Sequence, residues 1–161
     1  MLKTRFTELV GCSIPLQQAG MGGVAQRDLA AAVTAAGGLG MLAGVRLPAP
    51  FLTELLDGLK QQQIGPFGVN FLMPFLDRAC VEAASARANL VEFFYGEPDP
   101  NLIYRVHDGG ALAAWQVGSV DEAKQAADAG CDLIVAQGVE AGGHVRGRIG
   151  LLPLLDGVLN A

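Results

Sequence analysis

Residues 111–138, ALAAWQVGSVDEAKQAADAGCDLIVAQG, consist of two apolar runs on either side of one helical segment. The runs 111–118 and 131–138 each end in glycine and have the length and composition of buried strands. Between them, Ser119 followed three residues later by Glu122 is the pattern of a capping box, which predicts the start of a helix. The stretch therefore predicts a strand–helix–strand unit with parallel strands.

The same unit recurs along the whole chain. Six apolar runs end at intervals of 20 to 27 residues, and a helical pattern follows each of them. The six predicted strands are 15–20, 39–44, 67–71, 89–96, 111–118 and 131–138. Because a helix follows every strand, the sheet should be parallel and covered, which agrees with the uninterrupted apolar character of the runs.

Two parallel folds fit this pattern. A doubly wound open sheet can be completed in 161 residues, whereas a (β/α)8 barrel usually takes about 250 residues. However, no G-x-G-x-x-G motif or phosphate-binding loop follows the first strand, and the near-constant unit length is typical of equivalent units around a closed barrel. We therefore predict an α/β fold of the (β/α)8 TIM-barrel type. About six of the eight units are expected in a single domain, 1–161, that is incomplete at its carboxyl end.

Composition argues against several classes of function. The formal net charge is -5, with 11 Lys and Arg and no basic run, so we expect no binding to nucleic acid. Cys12, Cys80 and Cys131 are odd in number and lack C-x-x-C spacing, which is typical of reduced thiols and not of a zinc site. The start of the chain has no signal-peptide pattern, and the uncharged segment 29–45 is interrupted by GGLG. These patterns predict a cytoplasmic protein without a metal and without a membrane span.

Polar groups collect just beyond the carboxyl ends of the predicted strands, where ligands bind in both of these folds. The glycine-rich segment 19–24 presents backbone groups with little side-chain obstruction. Asn70 and Gln137 lie at the ends of the third and sixth strands, and each carboxamide can donate and accept hydrogen bonds. His144 follows the glycine pair 142–143. Their convergence on one end of the sheet favours a site for a flat ligand with polar edges.

Three motifs in this chain resemble those of the flavin-dependent nitronate monooxygenases, formerly called 2-nitropropane dioxygenases. They are AGMGGVA (19–25), FGVNF (67–71) and VAQGVEAGGHVRG (135–147), and the resemblance extends in order over the whole chain. It implies a TIM barrel that binds FMN and oxidises alkyl nitronates with O2 to a carbonyl compound and nitrite.

The resemblance also implies which residues are functional. It makes His144 the catalytic base or the group that orients the substrate, and it implies that Asn70, Gln137 and Gly142 contact FMN. Together with the backbone positions above, the expected cofactor-binding residues are Ala19, Gly20, Met21, Asn70, Gln137, Gly142 and Gly143.

Two alternatives remain open. An FMN-dependent enoyl-acyl-carrier-protein reductase has an EAGGH-type loop like residues 140–144, but takes hydride from a nicotinamide cofactor. The second alternative follows from the family's phosphate-binding loops, which come after the seventh and eighth strands. Without those units the chain is expected to bind flavin weakly or not at all. It would then be an inactive chain that assembles only with a partner or with itself, through its open sheet edges.

Three further residues are open to structural roles. His107 precedes the fifth predicted strand and so belongs to the opposite end of the sheet, where we expect it to be structural. Phe94 and Tyr95 lie near the end of the fourth predicted strand and are candidates for lining the substrate pocket. Core packing is expected for at least one of these two aromatic residues.

Overall fold

The computed structural model describes residues 2–161, and these contain a five-stranded parallel sheet with seven helices. The strands are β1 (Gly40–Ala43), β2 (Phe67–Leu72), β3 (Leu90–Phe94), β4 (Leu112–Val117) and β5 (Leu133–Ala136). The helices are α1 (Arg5–Val10), α2 (Arg27–Ala35), α3 (Ala49–Gln62), α4 (Arg78–Ser85), α5 (Pro100–Asp108), α6 (Val120–Asp128) and α7 (Leu151–Leu159), with a short 3-10 turn at Met73–Phe75.

The order of the strands decides between the two predicted folds. A doubly wound sheet reverses its strand order at a switch point, whereas here the order runs from β1 to β5 without reversal. Because crossover connections between parallel strands are right-handed, an unreversed order places the crossover helices on the same face of the sheet. This is the arrangement of a (β/α)8 barrel, and the predicted TIM-barrel type is confirmed.

The first predicted strand differs from the structure. Residues 15–20 form no regular strand, and their ladder pairing within residues 2–161 is a single parallel bridge between Gln17 and Leu39. Pro15 has no N–H to donate to a ladder, and the Gln18 side chain occupies the Met41 carbonyl with a hydrogen bond of 2.9 Å. The prediction of six complete strands is therefore wrong at its first member, although this segment lies in the predicted place beside β1.

The two faces of the sheet pack against different partners. The outer face packs against the helices and contains a row of large aromatic side chains, in which Phe93 lies 6.2 Å from Phe71 and 5.1 Å from Trp115 between ring centroids. The inner face has a smaller apolar cluster closed by α1, and its buried members are Val10, Cys12, Leu39, Met41, Leu90 and Ala114. Since this cluster fills the amino-terminal part of the inner face, space for a ligand remains at the carboxyl ends of the strands.

Helix α6 begins as predicted, but its capping contacts extend further than a capping box. The Ser119 hydroxyl accepts a hydrogen bond from the Glu122 N–H at 3.2 Å. The Glu122 carboxylate accepts from the Gly118 N–H at 2.7 Å and from the Arg146 guanidinium, instead of from the Ser119 N–H. Glu122 therefore joins the loop after β5 to the loop after β4.

Backbone contact joins the same two loops. A Cβ atom at Gly118 would lie 2.6 Å from the Gly147 nitrogen, and a Cβ atom at Gly147 would lie 2.4 Å from the Gly118 carbonyl oxygen. The backbones of the two loops can approach this closely only because both residues are glycine.

Candidate functional site

A cavity of about 790 Å³ opens at the carboxyl ends of the strands. Its volume lies within the range of about 300–1,000 Å³ that is usual for small-molecule sites. All eight residues predicted for the site line it, namely Ala19, Gly20, Met21, Asn70, Gln137, Gly142, Gly143 and His144. The fold therefore brings together groups from three widely separated parts of the sequence.

Gly20 lies directly against Asn70. A Cβ atom at position 20 would be 2.4 Å from the Asn70 Cβ and 2.8 Å from its Oδ1, so glycine is required for this approach. Asn70 itself is buried near the end of β2, with Ala43 as its register partner on β1. The glycine-rich loop thus passes over the end of β2 and leaves the Asn70 side chain at the floor of the cavity.

Glu92 was missed by the sequence analysis and is the register partner of Asn70 on β3. Its carboxylate accepts a hydrogen bond from Asn70 Nδ2 at 2.7 Å and another from Gln17 Nε2. Burial raises the pKa of the Glu92 carboxyl, and these two hydrogen bonds oppose the rise. The sequence did contain a signal, because an acidic residue inside an apolar strand such as LVEFF is almost never buried without a partner.

Gln116, on β4, is a second residue that the sequence analysis missed. It lines the cavity beside Gln137 and also lines an adjoining cavity of about 490 Å³ that reaches Glu92. Its carboxamide forms no hydrogen bond within residues 2–161. Both its donor and its acceptor are therefore available to a ligand.

Gln137 shapes the loop that carries His144. Its Nε2 donates to the His144 carbonyl at 2.9 Å, and its Oε1 accepts from the Arg146 N–H at 3.3 Å. Gly143 completes the loop with a φ of 74°, in the left-handed region that favours glycine. Since each polar atom of the carboxamide can form one further hydrogen bond, Gln137 can hold the loop and still contact a ligand.

The His144 ring is exposed at the cavity and stands edge-on to Tyr95, with 5.7 Å between ring centroids and 80° between ring planes. The Tyr95 hydroxyl donates to the Val145 carbonyl at 3.4 Å, and Tyr95 has a left-handed φ of 70°. Strained conformations of this kind cluster at functional sites. No ring nitrogen of His144 is hydrogen-bonded within the described part of the chain, so both are accessible to a substrate.

The two aromatic candidates have different surroundings. Phe94 is buried at the end of β3 and lines the cavity, so it both packs in the core and faces the cavity. Tyr95 follows it and contacts His144 and its loop.

Arg46 supplies positive charge at the cavity mouth. Its guanidinium carbon lies 4.2 Å from the centroid of the Phe75 ring, and its φ of 56° is left-handed. Among the residues that the structure describes, Arg46 forms no ion pair. A positive charge at the mouth of a cavity raises the local concentration of anionic ligands.

Backbone donors complete the lining of the cavity. Within residues 2–161, the N–H groups of Gly20, Met21 and Gly143 donate to no other backbone group. A flavin ring presents carbonyl and nitrogen acceptors beside an N–H group, which matches unpaired backbone donors beside carboxamide side chains. The residues present therefore fit a flavin.

His107 and Cys131 lie at the opposite end of the sheet. His107 Nε2 is 2.8 Å from Asp132 Oδ2, which also accepts the Ala113 N–H at 2.8 Å. Burial, and to a smaller extent the charge of Asp132, raises the pKa of the Cys131 thiol to about 12. Both side chains therefore lie away from the cavity, at the end of the sheet where we expected structural roles.

Neither a metal-binding cluster nor a membrane-spanning helix is present in the described residues. Residues 2–161 contain no group of three or more His, Cys, Asp or Glu side chains arranged to hold a metal ion. None of the helices in this range is long and apolar enough to cross a membrane.

Comparison with known proteins gives consistent matches. The family model for nitronate monooxygenase matches residues 3–82 and 74–161. A protein of Mycobacterium tuberculosis named (3aS,4S,5R,7aS)-5-hydroxy-7a-methyl-1-oxo-octahydro-1H-indene-4-carboxyl-CoA dehydrogenase is 35% identical, over 99% of this chain and 45% of its own length. A probable nitronate monooxygenase of Staphylococcus aureus is 27% identical over 88% of this chain and 50% of its own length. The chain thus spans about half the length of these curated relatives.

Two solved structures share the fold at closely similar geometry. FabK from Thermotoga maritima superposes with a TM-score of 0.92 at 29% identity, over 99% of this chain and 51% of FabK. Nitroalkane oxidase from Streptomyces ansochromogenes superposes with a TM-score of 0.86 at 31% identity, over 98% of this chain and 58% of that protein.

Proposed function

Because the chain belongs to the nitronate monooxygenase family, we propose that its cavity binds FMN and serves a flavin-dependent oxidation. The observation that carries this proposal is the convergence of the glycine-rich loop 19–24, two strand-end carboxamides and His144 on one cavity. Asn70, Gln137 and the unpaired backbone N–H groups would hold the ring edges. The bound flavin would supply the electron acceptor, which no side chain can replace.

The proposed substrate is an alkyl nitronate or a nitroalkane, with O2 as the second substrate and a carbonyl compound and nitrite as products. His144 would accept a proton from the carbon next to a nitro group, or would donate a hydrogen bond to a substrate that is already an anionic nitronate. Its ring stands edge-on to Tyr95 and lines the cavity. Arg46 at the mouth would attract the anion.

The primary test is titration of the purified chain with FMN, followed by visible absorption and then by oxygen uptake with an alkyl nitronate. A perturbed flavin spectrum together with nitronate-dependent oxygen uptake is the expected result. An unchanged FMN spectrum would contradict the flavin site. Tight FMN binding without oxygen uptake would contradict the nitronate reaction alone.

The role of His144 is tested by His144→Asn, with His107→Asn as the matched control. We expect His144→Asn to lower nitronate kcat/KM by about 10²- to 10⁴-fold, the usual contribution of a general base, while FMN affinity is retained. His107→Asn should leave kcat/KM unchanged, because His107 lies at the other end of the sheet. Equal losses in both variants would count against a catalytic role for His144.

A second candidate is dehydrogenation of a hydroxylated CoA thioester. It is favoured by the 35% identity to the mycobacterial dehydrogenase, which exceeds the 27% identity to the staphylococcal relative. Dehydrogenation removes one hydride and one proton; the bound flavin would supply the hydride acceptor, and His144 would take the proton. Anaerobic bleaching of the flavin by a hydroxyacyl-CoA, with no nitronate-dependent oxygen uptake, would select this reaction. Oxidation of NADPH that depends on an enoyl thioester would instead select the enoyl-acyl-carrier-protein reductase.

A further inference from the structure

Glu92 is the one acidic side chain among the strand residues of the described chain. It lies in β3 with Asn70 on one side and Ala114 on the other in the register of the sheet. Only 3% of Glu92 is exposed. Burial of a carboxylate is unfavourable unless hydrogen bonds compensate for the lost water. A buried acidic residue beside the cavity floor therefore suggests a functional role for its hydrogen bonds.

The two hydrogen bonds of Glu92 determine the orientation of its neighbours. An ionised carboxylate can only accept hydrogen bonds. Both carboxyl oxygens of Glu92 act as acceptors, Oε1 from Asn70 Nδ2 at 2.7 Å and Oε2 from Gln17 Nε2, so Asn70 turns its NH2 group toward Glu92. The carbonyl oxygen of the same carboxamide then points away from Glu92. Asn70 Oδ1 accepts no hydrogen bond within residues 2–161. Since Asn70 lines the cavity, this oxygen is available to a ligand.

A glutamine at position 92 would fill the same space without a buried charge. However, a carboxamide has one donor end and one acceptor end, so it can pair with Asn70 in either of two orientations. The carboxylate removes one of these orientations. The burial of the Glu92 carboxylate is unfavourable, but it leaves the Asn70 carboxamide with a single orientation at the cavity floor.

We propose that Glu92 is a positioning residue that fixes the Asn70 carboxamide so that its carbonyl oxygen, and not its NH2 group, is offered to the cavity. The ligand suited to this point brings an N–H donor, as the edge of a flavin ring does. The inference rests on the proposed flavin site and specifies the polarity of one of its contacts.

The test uses Glu92→Gln and the exchanged pair Asn70→Asp with Glu92→Gln in the full chain, with FMN affinity as the readout. Glu92→Gln should weaken FMN binding on the order of tenfold, because the Asn70 carboxamide loses its single orientation. In the exchanged pair, the carboxylate introduced on β2 accepts from the carboxamide introduced on β3 and again presents only oxygen to the cavity. FMN affinity should return to within about threefold of the wild type.

Val69→Ala is the control for a general loss of stability. Val69 is fully buried on the outer face of β2, next to Asn70 in sequence. Its truncation should lower the urea midpoint without changing FMN affinity. If Val69→Ala weakens FMN binding as much as Glu92→Gln does, the effect of Glu92 is merely structural and the proposal is overturned.

Two further outcomes also decide the proposal. If the exchanged pair folds but binds FMN no better than Glu92→Gln, the cavity needs the NH2 group of Asn70 and the proposed polarity is wrong. A urea-unfolding cycle of the two single variants and the pair needs no flavin. Favourable coupling in that cycle supports the pairing, and absence of coupling overturns it. If the wild-type chain binds no FMN, the proposed function fails, while the cycle still decides whether Glu92 holds Asn70.

Discussion

Single side chains around the cavity hold the loops, face the cavity, or do both. Gln137 and Glu122 bond to loop backbone and to Arg146, so they determine where the loops lie. His144 and Gln116 have polar atoms without partners in the described chain, and both line the cavity. Substitution of Glu122 should therefore alter loop order, and substitution of His144 or Gln116 should alter ligand contacts directly. Substitution of Gln137 should alter both.

The buried carboxyl of Glu92 predicts a pH-dependent stability difference between the wild type and Glu92→Gln. Burial raises the folded-state pKa above the ordinary value of 4.5, so the folded chain holds this proton more tightly than the unfolded chain does. The free energy of unfolding of the wild type should therefore fall relative to the variant as pH rises above 4.5 through the folded-state pKa. Urea unfolding of both chains at a series of pH values measures this difference. A difference that stays constant with pH would contradict it.

Cys131 should be nearly inert toward thiol reagents in the folded chain. Burial beside Asp132 raises its pKa to about 12, so at about pH 8 almost none of it is the reactive thiolate. Burial also raises the pKa values of Cys12 and Cys80. Mass spectrometry after brief treatment with iodoacetamide should show little labelling in buffer and full labelling in urea. Rapid labelling of Cys131 in buffer would contradict the burial of its thiol beside Asp132.

At the scale of elements, Gln137 holds the loop between β5 and α7 at two points of its backbone. Gln137→Leu removes both hydrogen bonds from the loop, to the His144 carbonyl and from the Arg146 N–H. Trypsin, which cleaves after arginine, should then cut at Arg146 and Arg148 several-fold faster than in the wild type. The matched control is Gln116→Leu, because the Gln116 carboxamide holds no loop. An equal cleavage rate in both variants would show that Gln137 does not order the loop.

The sequence predicted the positions of helices and strands better than it predicted which strand residues face the cavity. Ser119 caps α6 as expected, because a capping box depends on local spacing alone. Residues 15–20 fail as a strand because Pro15 and the Gln18 side chain interrupt the ladder, and an apolar pattern does not reveal this. Glu92 was missed for a related reason. In a parallel sheet that is covered on both faces, an uninterrupted apolar run does not show which residues face inward.

For the whole molecule, Trp115 provides a probe of cooperative folding. It is the only tryptophan in the chain, is fully buried against Phe93, and donates its indole N–H to the Gly96 carbonyl at 3.2 Å. The outer-face core that contains it connects strands from β1 to β5 with the helices. Urea unfolding followed by tryptophan emission should therefore coincide with unfolding followed by far-ultraviolet circular dichroism. Separate transitions would show that the core around Trp115 unfolds apart from the rest of the secondary structure.

The contact between Gly118 and Gly147 affects which substitutions the chain can tolerate. Neither residue lines the cavity, yet a methyl group on either would overlap the backbone of the other loop. A scan of all single substitutions, scored for retained folding and ligand binding, should therefore show intolerance at these two positions as well as in the cavity. The intolerant positions would thus include the line of contact between the loops after β4 and β5, outside the cavity itself.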